Sequence, residues 1–175
     1  MTILIAGDSF SAVYDNKSEW WHFGDCKNIS QKGSSEFKIL KSLQKENLNN
    51  YEKIIVCHTS PYRIYTENNV INKDDHTYGC YLINDLLHKK GDIKLTAELY
   101  IKYFFNEEYV LWCYYKVMEE IKNLTKDNTT LHISFFNVEN VLQLKHIYEQ
   151  NKGNICWMSE EGNKLAHGQI NSIWL

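Results

Sequence analysis

Proline and arginine are each present once in this 175-residue chain, as Pro61 and Arg63, and the other basic residues are all lysine. With one proline there is no polyproline segment, and no low-complexity linker or internal repeat is visible. The formal net charge is -3. A chain so balanced has no polyanion-binding character as a whole, so nucleic acid is not expected as a main partner. No apolar run approaches the roughly 20 residues that span a bilayer, so no membrane partner is expected. The N-terminal stretch lacks a basic segment and runs straight into the short apolar Thr2–Ala6, unlike a secretory signal. A cytoplasmic location is therefore expected. The five cysteines, Cys26, Cys57, Cys80, Cys113 and Cys156, are scattered and odd in number. They form no CxxC pair, which disfavours a zinc ribbon or disulfide framework, and buried reduced thiols are expected. Asp74, Asp75 and His76 fall in a polar stretch and read as solvated, so neither a metal nor a cofactor is expected.

Hydrophobic residues make up 43% of the chain and aromatics 14%, enough for one core. The length fits a single domain over residues 1–175. Thr2 to Ala6 is an apolar run ending in Gly7-Asp8-Ser9, the pattern of a buried strand followed by a tight turn. Trp20, Trp21 and Phe23 suggest a helix or loop packed back on the sheet. Asn28-Ile29-Ser30 is a second candidate strand. Gly33-Ser34-Ser35 reads as a turn and helix cap, and Phe37, Leu40 and Leu43 extend a helix from about Ser35 to Leu48. Lys53 to His58 is the clearest strand, apolar at its centre and ended by Thr59-Ser60-Pro61. Tyr62 to Asn106 is polar and reads as an insertion near the pocket, with one short helix around Leu82 to His88. Helical spacing returns from Glu107 to Leu124. Thr130 to Phe136 follows as a strand, then a helix around Val138 to Glu149, and a last helix opening at Ser159-Glu160-Glu161.

Strands alternating with helices predict a three-layer α/β/α sandwich with a mainly parallel sheet of about four or five strands. In such sheets ligands bind outside the carboxyl ends of the strands. Ser9, Gly33 and the His58–Arg63 segment all follow predicted strands and are expected to meet at that edge.

The segment Ile3-Leu4-Ile5-Ala6-Gly7-Asp8-Ser9-Phe10-Ser11 resembles the first block of the SGNH (GDSL-type) hydrolase family, whose fold is flavodoxin-like. The resemblance implies that Ser9 is a nucleophile on the turn after strand one. It also implies that Gly33 supplies a backbone N–H to an oxyanion hole with that of Ser9, where a bulky side chain would block the approach. The family's third block is Gly-x-Asn; here His58-Thr59-Ser60 stands in its place. Ser60 is then the expected third donor, and His58 a strand-end histidine placed to touch the pocket. The fifth block departs most. Met158-Ser159-Glu160-Glu161-Gly162-Asn163 is similar to the family's last helix start, and counting back sets Asn154 at the aspartate position and Trp157 at the histidine position. Without a base, a serine hydroxyl is a weak nucleophile. His167 lies further along and reads as a packing or surface residue. The segment His-Thr-Ser-Pro-Tyr-Arg is similar to that of a bacteriophage-associated branch of the family.

Arg63 matters because a guanidinium holds carboxylate or phosphate through two parallel bonds, which lysine does not. It is expected at the pocket mouth, with Asp8, Tyr62, Asn154 and Trp157 as further binding residues. Two functions compete. One is a serine esterase or acyl hydrolase acting on a small, anionic ester, with Ser9, Gly33, Ser60 and His58 as its machinery. The other is a binding protein on the same fold, its catalysis lost, that sequesters a small anionic ligand.

Overall fold

The computed structural model describes residues 2–9, 11–12, 25–66, 80–134 and 155–157. The aromatic segment around Trp20, the polar stretch at Asp74, and the expected helices near residues 138–149 and after Ser159 lie outside them, as do Asn154 and His167.

The apolar runs become strands of one parallel sheet. These are β1 (Ile3–Gly7), β2 (Cys26–Asn28), β3 (Lys53–His58), β6 (Thr129–Ser134) and β7 (Ile155–Trp157), in the spatial order β2-β1-β3-β6-β7. Every neighbouring pair is parallel. The central strand β3 buries Ile54, Ile55, Val56 and Cys57 completely, since a parallel strand in mid-sheet is covered on both faces. Gly7 pairs with Cys57, and Cys57 with Ile133, so the carboxyl ends of β1, β3 and β6 come out abreast.

One sheet face carries Leu4, Ala6, Ile54 and Val56. Against it pack Ile39, Leu40 and Leu43 of α1 (Glu36–Leu43) and Ile121 of α4 (Glu107–Leu124). α4 covers the predicted span. Its N-cap is Asn106, whose side chain accepts from the Tyr109 N–H. α1 is shorter than predicted. The chain leaves it at Gln44 and makes a 3-10 turn, Leu48–Asn50, that buries Leu48. Asn128 holds that turn by donating to the carbonyls of Leu48 and Tyr51.

The described parts of residues 62–106 hold more regular structure than predicted. β4 (Arg63–Tyr65) and β5 (Cys80–Leu82) form an antiparallel ladder, followed by α2 (Ile83–Leu87) and α3 (Asp92–Tyr103). The helix expected near Leu82 is α2. The longer α3 had no legible signal because it buries only Ala97 and leaves Leu95 and Leu99 exposed. A helix with so little buried surface shows no broad apolar stripe.

Candidate functional site

Ser9 emerges at the carboxyl end of β1, partly exposed, straight after a fully buried Asp8. Gly7 is required here by close approach. A Cβ at Gly7 would lie 2.6 Å from the Cβ of Cys57 and 2.8 Å from its carbonyl oxygen, and would strike the Ser11 hydroxyl. The chain after β2 continues beside β1, with the Ile29 N–H bonded to the Ile5 carbonyl and that of Gln31 to the Gly7 carbonyl. Gly33 follows two residues later, as Ser9 follows Gly7. Its φ of 67° completes a turn closed by the Ser34 N–H on the Gln31 carbonyl. Glycine fits the third position of such a turn because φ is positive there. Ser9 and Gly33 are thus the ends of two adjacent parallel segments at the same sheet edge.

A largely buried polar chain links the start of α1 to β3 and β6. Ser35 caps α1 by accepting from the Lys38 N–H, and this sets Glu36 in the first turn, against the end of β3. Glu36 Oε1 is 2.6 Å from His58 Nδ1, and His58 Nε2 is 2.9 Å from His132 Nδ1. The two imidazoles stack nearly parallel. Glu36 Oε2 also accepts from the Thr59 N–H. Two proton placements satisfy every contact. With both rings neutral, His58 donates from Nδ1 to the carboxylate and its Nε2 accepts the Nδ1–H of His132; with His58 protonated, it donates from both nitrogens and His132 Nδ1 accepts. Burial, then the neighbouring His58, pushes the His132 pKa down to about 3, so the ring is neutral at pH 7.

Thr59 joins this chain to the pocket side. Its hydroxyl donates to Asp8 Oδ2 at 2.8 Å and accepts from Arg63 Nε at 3.0 Å, and its carbonyl accepts from the Tyr114 hydroxyl. The turn from Ser60 to Arg63 is closed by the Arg63 N–H on the Ser60 carbonyl. Pro61 occupies its second position, where a fixed φ is favourable. A cavity of about 220 Å³ opens below this turn, lined by Ser60, Tyr62 and Arg63 on one side and by α1 and α4 on the other. Tyr62 reaches across it, donating from its hydroxyl to Glu107 Oε1 at 2.6 Å. That bond, aided by burial, raises the Tyr62 pKa.

The expected site residues thus divide. Ser9 and Gly33 follow hydrogen-bonded neighbouring segments at the carboxyl edge. Ser60, Tyr62 and Arg63 line the cavity, which Ser9 and Gly33 do not. Asp8, expected at the ligand surface, is fully buried and braces Thr59 instead. His58, expected to touch the pocket, is 1% exposed with both ring nitrogens engaged, so it lies inside the fold. Trp157 pairs with Ser134 in β7, two strands beyond β3. Three strand spacings, roughly 14 Å, therefore separate its backbone from β1. Strand placement alone does not put Trp157 and Ser9 in one cleft.

Glu36, Thr59, His132 and Tyr114 were not singled out by the sequence. A glutamate after a serine cap reads as a solvated first-turn residue. Only the register of β3 with β6, which sets His58 and His132 on one sheet face, reveals their contact. Burial pushes the Cys57 thiol pKa well up, which removes it as a nucleophile.

No protein-family model and no curated protein matches the chain. Solved structures do. A GDSL-like lipase from Bacteroides thetaiotaomicron VPI-5482 superimposes with a TM-score of 0.52 at 9% identity, covering 98% of this chain and 86% of that one. A protein from Bacteroides fragilis NCTC 9343, described as an acylhydrolase, gives 0.50 at 11% identity, covering 98% and 85%. The chain therefore has the GDSL-type (SGNH) hydrolase fold, an α/β fold built on a parallel sheet.

Proposed function

We propose that the chain is a GDSL-type serine hydrolase that cleaves a small, anionic ester or acyl compound, with slow turnover. The observation that carries this reading is the placement of Ser9 and Gly33 as adjacent segment ends at the carboxyl edge of the sheet. The Ser9 Oγ would attack the acyl carbonyl carbon while a base takes its proton. The N–H groups of Ser9 and Gly33 would hold the oxyanion, as donors aimed at the developing charge. Collapse expels the alcohol, which takes a proton, and water then releases the acid and restores Ser9. Slow turnover is expected from the fifth block, where Asn154 and Trp157 stand at the positions of the family's aspartate and histidine; among the described residues, His58 is bonded to Glu36 and His132 rather than to Ser9. Loss of a triad member leaves only the catalysis of oxyanion hole and binding.

A second reading is a ligand-binding protein that has kept the fold without the chemistry. The engagement of both His58 nitrogens favours it, since that imidazole is not available to Ser9.

Hydrolysis of p-nitrophenyl acetate and labelling by a fluorophosphonate separate the two. The hydrolase reading expects weak hydrolysis abolished by Ser9→Ala, and a label on Ser9. It also expects His58→Gln, assayed below its melting temperature, to keep most of the activity. Hydrolysis that survives Ser9→Ala, together with an unlabelled Ser9, establishes the binding reading instead. Activity lost in both variants while both stay folded makes His58 the base after a rearrangement.

A further inference from the structure

The cavity below the Ser60–Arg63 turn is not used by the chemistry at Ser9, yet it has the composition of a binding site. Its walls are largely flat and apolar, with Phe37, Tyr65, Tyr100, Tyr109 and Tyr114 facing it beside Val110. Phe37 and Tyr65 already meet edge to face, their centroids 5.1 Å apart, so the wall is built rather than loose. At about 220 Å³ the space is smaller than pockets that take drug-sized ligands, and it suits one ring with a short side chain.

Arg63 is the one cation in this lining. Its Nε is committed to Thr59 Oγ1, behind which stand the carboxylates of Asp8 and Glu36. Glu36 also lines the cavity, but its oxygens are taken by His58 and the Thr59 N–H. Glu107 is held by Tyr62. Among the described residues no carboxylate forms an ion pair with Arg63, which leaves its terminal nitrogens as an unused fork. Such a fork matches a carboxylate with two parallel bonds.

We infer that this cavity binds a small aromatic carboxylate, its ring between the tyrosine walls and its carboxylate on Arg63. The inference goes beyond the proposed function, because Ser9 and Gly33 do not line this cavity, and it stands whether or not Ser9 is a nucleophile. Its test reads binding alone. Calorimetry on the full chain compares phenylacetate, phenylacetamide and acetate, with Arg63→Gln, Arg63→Lys and Val110→Trp as variants. Phenylacetate should bind the wild type at least about tenfold more tightly than the amide, the advantage of a charge-assisted pair. Acetate, lacking the ring, should bind at least about tenfold more weakly than phenylacetate. Arg63→Gln should bring acid and amide to the same affinity, and Arg63→Lys should restore only part of the difference. Val110→Trp, which fills the space, should abolish binding of both aromatic probes. Equal affinity of acid and amide for the wild type, an unchanged Arg63→Gln, or no binding of any probe overturns the inference. Hydrolysis of a neutral ester is read separately. A chain that hydrolyses through Ser9 but ignores these acids refutes this inference alone. One that binds them without hydrolysis refutes the hydrolase reading alone.

Discussion

His58 is where residue identity and residue role part. A histidine at the end of a buried strand, one residue from a threonine and two from a serine, invites a catalytic assignment. Its partners decide otherwise. Glu36 fixes one nitrogen and His132 the other, while the second Glu36 oxygen pins the Thr59 N–H. These contacts hold in place the turn that carries Ser60 and Arg63. None of this was legible in the sequence, since Glu36 is 22 residues from His58 and His132 is 74 residues away, with the link set by register alone. The predicted consequence is a stability cost larger than that of a surface change. Glu36→Ala removes the acceptor of both the imidazole N–H and the Thr59 N–H, leaving buried donors unpaired. Loss of a buried partner of this kind costs about 1–3 kcal/mol per orphaned group. Urea unfolding of Glu36→Ala is expected to show a loss of at least about 2 kcal/mol. Glu36→Gln keeps a carbonyl acceptor and should lose less. Equal losses for the two would show that packing, not acceptance, is what Glu36 supplies.

At the scale of elements, the apolar strands and the long amphipathic helix were readable because burial writes a continuous run or a helical period into the chain. β1, β3, β6 and α4 announce themselves this way. The elements of residues 62–106 did not, because α3 lies on the surface and the ladder of β4 with β5 is only three residue pairs long. Gly7-Asp8-Ser9 was legible as a turn signal, but its glycine answers to a different demand. Gly7 sits in the strand itself, and the space for a Cβ is filled by Cys57 of the neighbouring strand. Two of the three blocking atoms belong to Cys57, its Cβ and its main-chain oxygen, and neither can swing aside. Gly7→Ala should therefore push β1 from β3 and cost about 1–3 kcal/mol, as overpacked cores do. It should also displace Ser9, two residues on. Thermal unfolding followed by circular dichroism measures the first effect and fluorophosphonate labelling the second. Ser35→Ala, which removes the α1 cap, should cost about 1 kcal/mol and leave labelling intact.

For the whole molecule, the sheet order explains why the fold could be read further than the site. Alternation of strands and helices predicts a parallel sheet, and its carboxyl edge is where ligands go. Which residues meet there depends on strand order, and β7 standing two places beyond β3 moved Trp157 away from β1. The same central packing gives the molecule a pH response. His132 titrates near 6.5 when unfolded but only at about 3 when folded, because burial and His58 disfavour its charge. Between those values the unfolded chain holds a proton that the folded chain lacks. Stability from this group is therefore fully present above pH 6.5 and is lost as pH falls from 6.5 toward 3. Each tenfold difference in proton affinity is worth about 1.4 kcal/mol. The His132 side of the chain keeps some exposure, which tempers the loss, and a fall on the order of 2–3 kcal/mol between pH 7 and pH 4 is expected. Carboxylates elsewhere contribute to acid sensitivity as well, so the wild type must be compared with His132→Asn, which has no ionisable ring. Urea unfolding at pH 7, 5.5 and 4 should show the two proteins' stabilities converging as pH falls, because only the wild type loses the His132 contribution. Parallel pH dependence in the two would mean that His132 takes up its proton equally in both states, and that the buried imidazole pair does not set the acid limit of the fold.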